Sequence, residues 1–291
     1  MKILILGTNG QVGFELMRAA ERRELAVIGC AHADLDITNR VAVESAIQTY
    51  RPAYVINAAA YTAVDRAETD IDKAFSVNSD GAQNIASSCA KIGAALISYS
   101  TDYVFNGVKT APYDENDPVS PLSVYGESKA AGEAHIRRIL PNHIILRTSW
   151  IFGTHGANFV KTILRLARER EELRIVADQF GCPTGAAGLA EATLDCVRRI
   201  AEGEVAWGTY HLAGQGQTTW HGFAKTILKM AAPSLPRVPR LVEITTAEYP
   251  LPARRPKNSV LNCDKIVNQL GISPPSWEAE LARVVPYVVG P

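Results

Sequence analysis

Tyr125-Gly126-Glu127-Ser128-Lys129 places a phenol and an ammonium four residues apart, on one face if the segment is helical. Free tyrosine is a poor proton donor or acceptor near neutrality, with a pKa of about 10. A neighbouring ammonium favours the tyrosinate and is expected to lower that value, so that the pair can exchange a proton with a carbonyl or an alcohol. Y-x-x-x-K alone arises by chance in many helices, so its meaning depends on its surroundings. Ser100-Thr101-Asp102-Tyr103 offers a hydroxyl, Thr101, that can hold a carbonyl oxygen in front of Tyr125. A Ser/Thr cluster at a strand end is more often turn chemistry, and only the combination with Tyr125 and Lys129 gives it a function. Gly7-Thr8-Asn9-Gly10-Gln11-Val12-Gly13 follows an apolar run and opens a helical pattern, the setting of a dinucleotide fingerprint. Its glycines permit a tight turn, backbone approach to a pyrophosphate and close helix–strand packing, and the helix N-terminus offers free N–H groups. The spacing is G-x-x-G-x-x-G rather than G-x-G-x-x-G, and the plainer alternative is a ligand-free βα turn.

These groups need a frame. Short apolar runs at 2–6, 26–29, 54–57, 94–100 and 144–148 alternate with helical patterns at 12–23, 41–49, 71–92 and 123–139. Continuous apolar strands alternating with helices predict a Rossmann-type, doubly wound parallel α/β sheet, with ligands at its carboxyl edge. The second half predicts helices at 158–171, 187–201 and 220–231 and short strands at 173–176 and 210–212. Eight of the sixteen prolines fall between 233 and 275, which predicts loops and extended segments there. The expected division is a nucleotide-binding domain over 1–150 and a smaller, irregular α/β substrate domain over 151–291, interleaved with the first.

With 291 residues, 47% hydrophobic and 21% charged, the chain has an ordinary globular balance. Thirty basic residues cancel thirty acidic ones, which gives no argument for nucleic acid or an acidic membrane surface. Five cysteines, at 30, 89, 182, 196 and 263, include no C-x-x-C and suit neither a zinc site nor a disulfide framework. Free thiols in a reducing compartment follow, and no run reaches the ~20 apolar residues of a membrane span. A cytoplasmic location is expected. The six histidines show no metal-ligand spacing, no metal ligand is assigned, and neither a nucleophile elbow nor a Walker loop appears.

Taken together, the glycine spacing, Asn57-Ala58-Ala59-Ala60, Ser100 to Phe105 and the Tyr125–Lys129 segment resemble an extended short-chain dehydrogenase/reductase. Val64 to Glu68, Arg147 to Gly153, Asn158-Phe159, Asp178 to Thr184 and Pro252 to Ser259 narrow the resemblance to the dTDP-4-dehydrorhamnose reductase family, nearly end to end. Cys182 stands where that family usually has Ala or Ser. The resemblance implies that NADPH or NADH reduces the C4 ketone of dTDP-4-dehydro-L-rhamnose to dTDP-L-rhamnose, a cell-surface polysaccharide precursor. It implies Tyr125 as proton donor, Lys129 on the nicotinamide ribose and Thr101 on the C4 oxygen. Asp102 and Trp150 would meet the sugar. Gly10, Gln11 and Val12 would line the pyrophosphate, Asp36 and Ile37 the adenine, and Ala60, Tyr61 and Thr62 the nicotinamide side, with Gly7, Gly13 and Ala59 also binding the cofactor. Arg255 would bind the diphosphate, weighed against a solvated loop arginine.

Gly29-Cys30-Ala31-His32 carries no carboxylate where NAD enzymes hold the ribose, and Asp34 and Asp36 come only later, so NADH versus NADPH stays open. The resemblance also leaves room for a homodimer and for Mg²⁺ at a subunit contact, to which Glu15 and Glu191 could contribute, although solvated helical glutamates are commoner. Two alternatives compete. A nucleotide-sugar epimerase or dehydratase would retain NAD⁺, but dehydratases typically place Asp-Glu after the Thr, and here Asp102 is followed by Tyr103. A non-catalytic homologue resembling the β subunit of methionine adenosyltransferase would bind a partner enzyme, which the retained Thr101, Tyr125, Lys129 and Trp150 argue against.

Overall fold

The computed structural model describes residues 2–203 and 206–289, so both ends of the expected 1–291 division lie just outside it. The first half runs β1 (Lys2–Leu6), α1 (Gln11–Arg22), β2 (Ala26–Cys30), α2 (Arg40–Tyr50), β3 (Tyr54–Asn57), α3 (Val64–Ala67), α4 (Ile71–Phe75), a π-helical turn (Ser76–Asp80), α5 (Gly81–Ile92), β4 (Ala95–Thr101), α6 (Val124–Ile139) and β5 (His143–Thr148). The second half runs β6 (Ile151–Phe152), α7 (Phe159–Glu169), β7 (Glu172–Val176), β8 (Phe180–Gly181), β9 (Thr184–Gly185), α8 (Ala186–Ala201), β10 (Gly208–His211), β11 (Thr218–Thr219), α9 (Trp220–Ala231), β12 (Arg240–Ile244), α10 (Asp264–Leu270) and α11 (Trp277–Val289).

Six strands form one parallel sheet in the order β10-β5-β4-β3-β1-β2. Side chains alternate across a strand, so both faces of a doubly covered sheet must be apolar. Ile3, Ile5, Ile97 and Ile144 pack on α1 and α8, whereas Leu4, Leu6, Leu96 and Ile145 pack on α2, α5 and α6. The chain direction of winding reverses between β1 and β3, which opens a crevice at their carboxyl ends.

The 210–212 strand expected in the second half is therefore the outer strand of the first sheet, and α8 packs beside α1 on it. The remaining second-half core is α7, α9 and α11 around Phe152, Phe223 and Trp277. One expectation fails in the proline-rich region. Residues 240–244 form a strand paired in parallel with β7. The prolines flank it at 233, 236 and 239 and again from 250, leaving 240–249 with every ladder N–H intact.

Candidate active site

The glycine loop is built by close backbone approach. Gly7 has φ +82°, and a Cβ there would lie 2.6 Å from Ala59 N, so β1 and the loop after β3 touch directly at the crevice. A Cβ on Gly13 would lie 2.2 Å from Gly7 O, which fixes how closely α1 sits on β1. Gly10 meets only Gly7 O, at 3.3 Å. It caps α1 without a side-chain hydrogen bond, and no acid occupies the first turn. The first N–H groups of α1 thus face outward with the positive end of the helix dipole, a seat for a pyrophosphate. Val12 is buried, and the Gln11 side-chain carbonyl accepts a 3.0 Å bond from Asn158. His155 stacks on Phe14 at 4.1 Å and bonds Asn9 O at 3.0 Å. The segment after β6 therefore folds over the glycine loop.

Beyond β2, Asp34 accepts the Ala31 N–H at 2.8 Å and closes its own turn. Asp36 is exposed and accepts both the N–H and the hydroxyl of Thr38 at 2.9 Å, and the backbone bond in particular holds its carboxyl below the usual range. Ile37 is buried against Gly81. After β3, the segment 59–62 is clamped by Asn78, which accepts the Tyr61 N–H at 2.9 Å and donates to Tyr61 O and Ser128 Oγ at 3.0 Å each. Ala59 N donates to Asn57 Oδ1, the Tyr61 hydroxyl donates to Asp70, and the half-buried Ala60 and exposed Thr62 complete this loop. Asn78 sits in the π turn, a local widening that no hydrophobic period announces.

Thr101 ends β4, in register with Thr148 at the end of β5, and Asp102 opens the 3-10 turn that follows. The Thr101 hydroxyl donates to Asp102 Oδ1 at 3.1 Å, and Asp102 Oδ2 makes no hydrogen bond of normal geometry, although the nearby Ser259 hydroxyl favours the carboxylate. Burial pushes the Asp102 carboxyl up to about 7, so near neutrality it can donate or accept. Ser123 caps α6 by accepting the Gly126 N–H at 3.3 Å. A Cβ on Gly126 would lie 2.3 Å from Tyr103 O, so the glycine in the Tyr125–Lys129 segment lets α6 press against the turn after β4. This contact brings Tyr125 beside Thr101, whose hydroxyl favours the tyrosinate.

The expectation that Lys129 lowers the Tyr125 pKa is not met. Burial pushes the phenol up to about 12, and Lys129 Nζ instead donates to Tyr99 O at 2.7 Å. Lys129 is itself desolvated, which pulls its amine down to about 8. Tyr125 is consequently a protonated acid at neutral pH.

Trp150 adopts φ +47° and stacks on Trp220 at 3.6 Å, so that one indole face is already covered. Gly181 has to lack a side chain here, since a Cβ would lie 2.5 Å from the Trp150 ring. Trp220 continues into Phe159 at 4.7 Å and donates to Gln179 at 3.2 Å. Arg255 is not a solvated loop residue. It binds Asp65 through two parallel bonds of 3.0 and 2.7 Å and tethers the segment after β12 to α3. That pairing holds the Asp65 carboxyl below its usual range. Trp220 and Arg255 share the wall of a cleft of about 590 Å³, lined also by Ile163, Leu166, Tyr249 and Leu251.

Glu15 and Glu191 do not make a metal site within one chain. Glu191 pairs with Arg22 and Arg23 at 2.6 and 2.5 Å, and Glu15 lies 3.4 Å from the Thr154 hydroxyl. No group of three or more metal-ligating side chains occurs among the described residues. Nor, among them, is any helix long and apolar enough to cross a membrane.

This geometry has close counterparts. A dTDP-4-dehydrorhamnose reductase from Sinorhizobium fredii is 42% identical over 98% of this chain and 97% of its own. The crystal structure of a dTDP-4-dehydrorhamnose reductase from Clostridium acetobutylicum superposes with a TM-score of 0.91 at 38% identity, covering 98% of each chain. The enzyme of that name from Bacillus anthracis, in complex with NADP, gives 0.91 at 37% identity over 97% of this chain and 98% of its own. The family model described as the RmlD substrate binding domain matches residues 1–289, and the chain belongs to the dTDP-4-dehydrorhamnose reductase family.

Proposed function

We propose that this chain reduces the C4 ketone of dTDP-4-dehydro-L-rhamnose to dTDP-L-rhamnose, using NADPH or NADH. The observation that carries this reading is the meeting of Thr101, Tyr125 and Lys129 at the carboxyl edge of the sheet, beside a glycine cradle that added Cβ atoms would fill. The nicotinamide, when bound, supplies the hydride. Gly7, Gly10, Gln11, Val12 and Gly13 hold the pyrophosphate, Asp36 and Ile37 flank the adenine, and Ala59 to Thr62 wall the nicotinamide side. The Thr101 hydroxyl orients the ketone oxygen. The Tyr125 phenol, protonated at neutral pH, gives its proton to the C4 oxygen as negative charge develops there. Lys129 binds the nicotinamide ribose and stabilises the tyrosinate left behind.

Asp102, with one oxygen unsatisfied, takes a sugar hydroxyl. The cleft beside Trp220 and Arg255 falls within the ~300–1,000 Å³ of ligand pockets and receives the nucleotide, with Arg255 reaching the diphosphate from its Asp65 anchor. Residues 1–150 chiefly carry the cofactor and 151–291 chiefly the sugar nucleotide. Because β2 ends at Cys30 with no carboxylate to repel a 2′-phosphate, NADPH is accepted along with NADH. A homodimer is the proposed assembly.

The test is transfer of label from deuterated NADPH to C4 of the enzymatically generated 4-keto sugar, read by NMR of the product. Deuterium at C4 of a dTDP-6-deoxyhexose is expected. Cofactor that remains unoxidised with this substrate, or NAD⁺ recovered tightly bound with a C4-epimerised product, would exclude the reading.

A further inference from the structure

Behind the Tyr125–Lys129 pair lies a buried charge arrangement that the proposed reaction leaves unused. Lys129 and Glu133 are one turn apart on α6 and line the same small polar cavity of about 10 Å³, room for about one water. They are 8% and 2% exposed. Glu133 accepts two bonds from Arg147 of β5, 2.9 Å from Nε and 2.7 Å from Nη2, and a third of 2.9 Å from Arg137. Arg147 is 2% exposed, and its guanidinium lies 5.1 Å over the Phe105 ring. The inner row thus runs cation, anion, cation, with Glu133 between Lys129 and Arg147.

Stability alone explains this row poorly. A buried ion pair rarely outperforms apolar residues of similar volume, because desolvation consumes most of its attraction. Its electrostatic effect on Lys129 is more specific. A guanidinium keeps its proton in a protein, whereas a desolvated lysine gives its proton up readily. With the central carboxylate removed, two buried cations would face each other, and only Lys129 could relieve the repulsion.

We infer that Glu133 is a positioning residue for the reaction: its carboxylate, pinned by Arg147, keeps Lys129 in the ammonium form while Tyr125 gives up its proton. The inference rests on the roles proposed above for Tyr125 and Lys129. Burial lowers the Lys129 amine, and Glu133 is the group that opposes the fall. Burial also works against the Glu133 anion, yet Arg147 holds it below the usual carboxylate range. The other groups that face this region are Tyr125 on the same helix, Asp102 just past β4, the Ser100 hydroxyl of β4, Arg137 on the outer side of Glu133, and His211 of β10, which is in register with Arg147 and kept neutral by burial. Tyr99 contributes its main-chain carbonyl, its phenol being bonded to Thr193 on the opposite face. Among the described residues, no charged side chain other than Lys129 and Glu133 lines the cavity.

The experiment titrates Lys129 directly, by NMR of protein labelled at the lysine Cε, with its signal assigned by its loss in Lys129→Arg. In Glu133→Gln the Lys129 midpoint is expected to fall by at least one pH unit, a tenfold loss of proton affinity. In Arg147→Met it is expected to rise, because one cation leaves while Glu133 stays anionic through Arg137. Opposite directions mark an electrostatic role, since mere loosening would move both variants the same way. The alkaline limb of kcat should follow, so that Glu133→Gln regains activity as the pH is lowered. An unmoved midpoint in folded Glu133→Gln overturns the inference, as does an unchanged or lowered one in Arg147→Met, which carries the test should the first variant not fold. Midpoints that move while the kcat profile stays fixed would place the fault in the role assigned to Lys129.

Discussion

Gly13→Ala isolates the contact that seats α1 on β1. The added methyl would lie 2.2 Å from Gly7 O, more than an ångström short of ordinary contact, and its neighbours are backbone atoms that cannot rotate away. The helix must move, and overpacking of this kind costs about 1–3 kcal/mol. In a chain of this size each kcal/mol lowers Tm by roughly 2–4 °C. The same displacement carries the first N–H groups of α1 away from the pyrophosphate, so NADPH affinity should fall at least tenfold. Gly10→Ala is the control. Its methyl meets only Gly7 O, at 3.3 Å, and its φ of −77° is open to alanine. Tm should shift by no more than about 1–4 °C, since a Gly→Ala change at a permissive φ shifts stability by only ~0.4–1 kcal/mol, yet NADPH should bind less tightly because the methyl intrudes on the phosphate side. Thermal denaturation with and without NADPH, together with fluorescence titration of the cofactor, separates the two. A Gly13→Ala protein with unchanged Tm and NADPH affinity would show that this contact does not set the position of α1.

Other residues give further tests. Asp102 has a raised carboxyl pKa in the folded state, so its contribution to stability is greatest at low pH and is lost as the pH rises through about 7. Asp102→Asn should therefore stabilise the fold at pH 8 by on the order of a few kcal/mol, seen as a higher Tm, and progressively less toward pH 4, while kcat/KM falls. An equal gain at both pH values would contradict the burial argument. Arg255→Ala removes a charge-assisted bidentate pair and should cost about 1.5–3 kcal/mol by denaturant titration, with a rise in KM for the sugar nucleotide and little change for NADPH. Trp220→Ala strips the stacked partner from Trp150 and should raise the sugar-nucleotide KM at least tenfold, with the cofactor Kd unchanged.

Much of this architecture is legible in the sequence because it is local. Apolar runs that alternate across β1, β3, β4 and β5 report a sheet buried on both faces, and the glycine loop marks the turn from β1 into α1. Tyr125 and Lys129 declare themselves by spacing within one helix. What the sequence hides depends on pairings between distant segments. Arg255 meets Asp65 across 190 positions, and β10 joins β5 after some sixty intervening residues. Neither leaves a periodic trace. Asn78 escapes notice because its role comes from a π turn, and the 240–244 strand because its flanking prolines mask it. The raised Tyr125 pKa escapes the sequence for a related reason. Spacing puts a cation nearby, but burial of the phenol and the turn of Nζ toward Tyr99 are tertiary facts.

Tyr125 carries the proton that the proposed reduction requires. With dTDP-4-dehydro-L-rhamnose generated in place, NADPH oxidation by Tyr125→Phe should be roughly 10²–10⁴-fold slower in kcat, the usual worth of a positioned proton donor, with the NADPH Kd unchanged. Tyr125→Phe protein that turns over at the wild-type rate would contradict it.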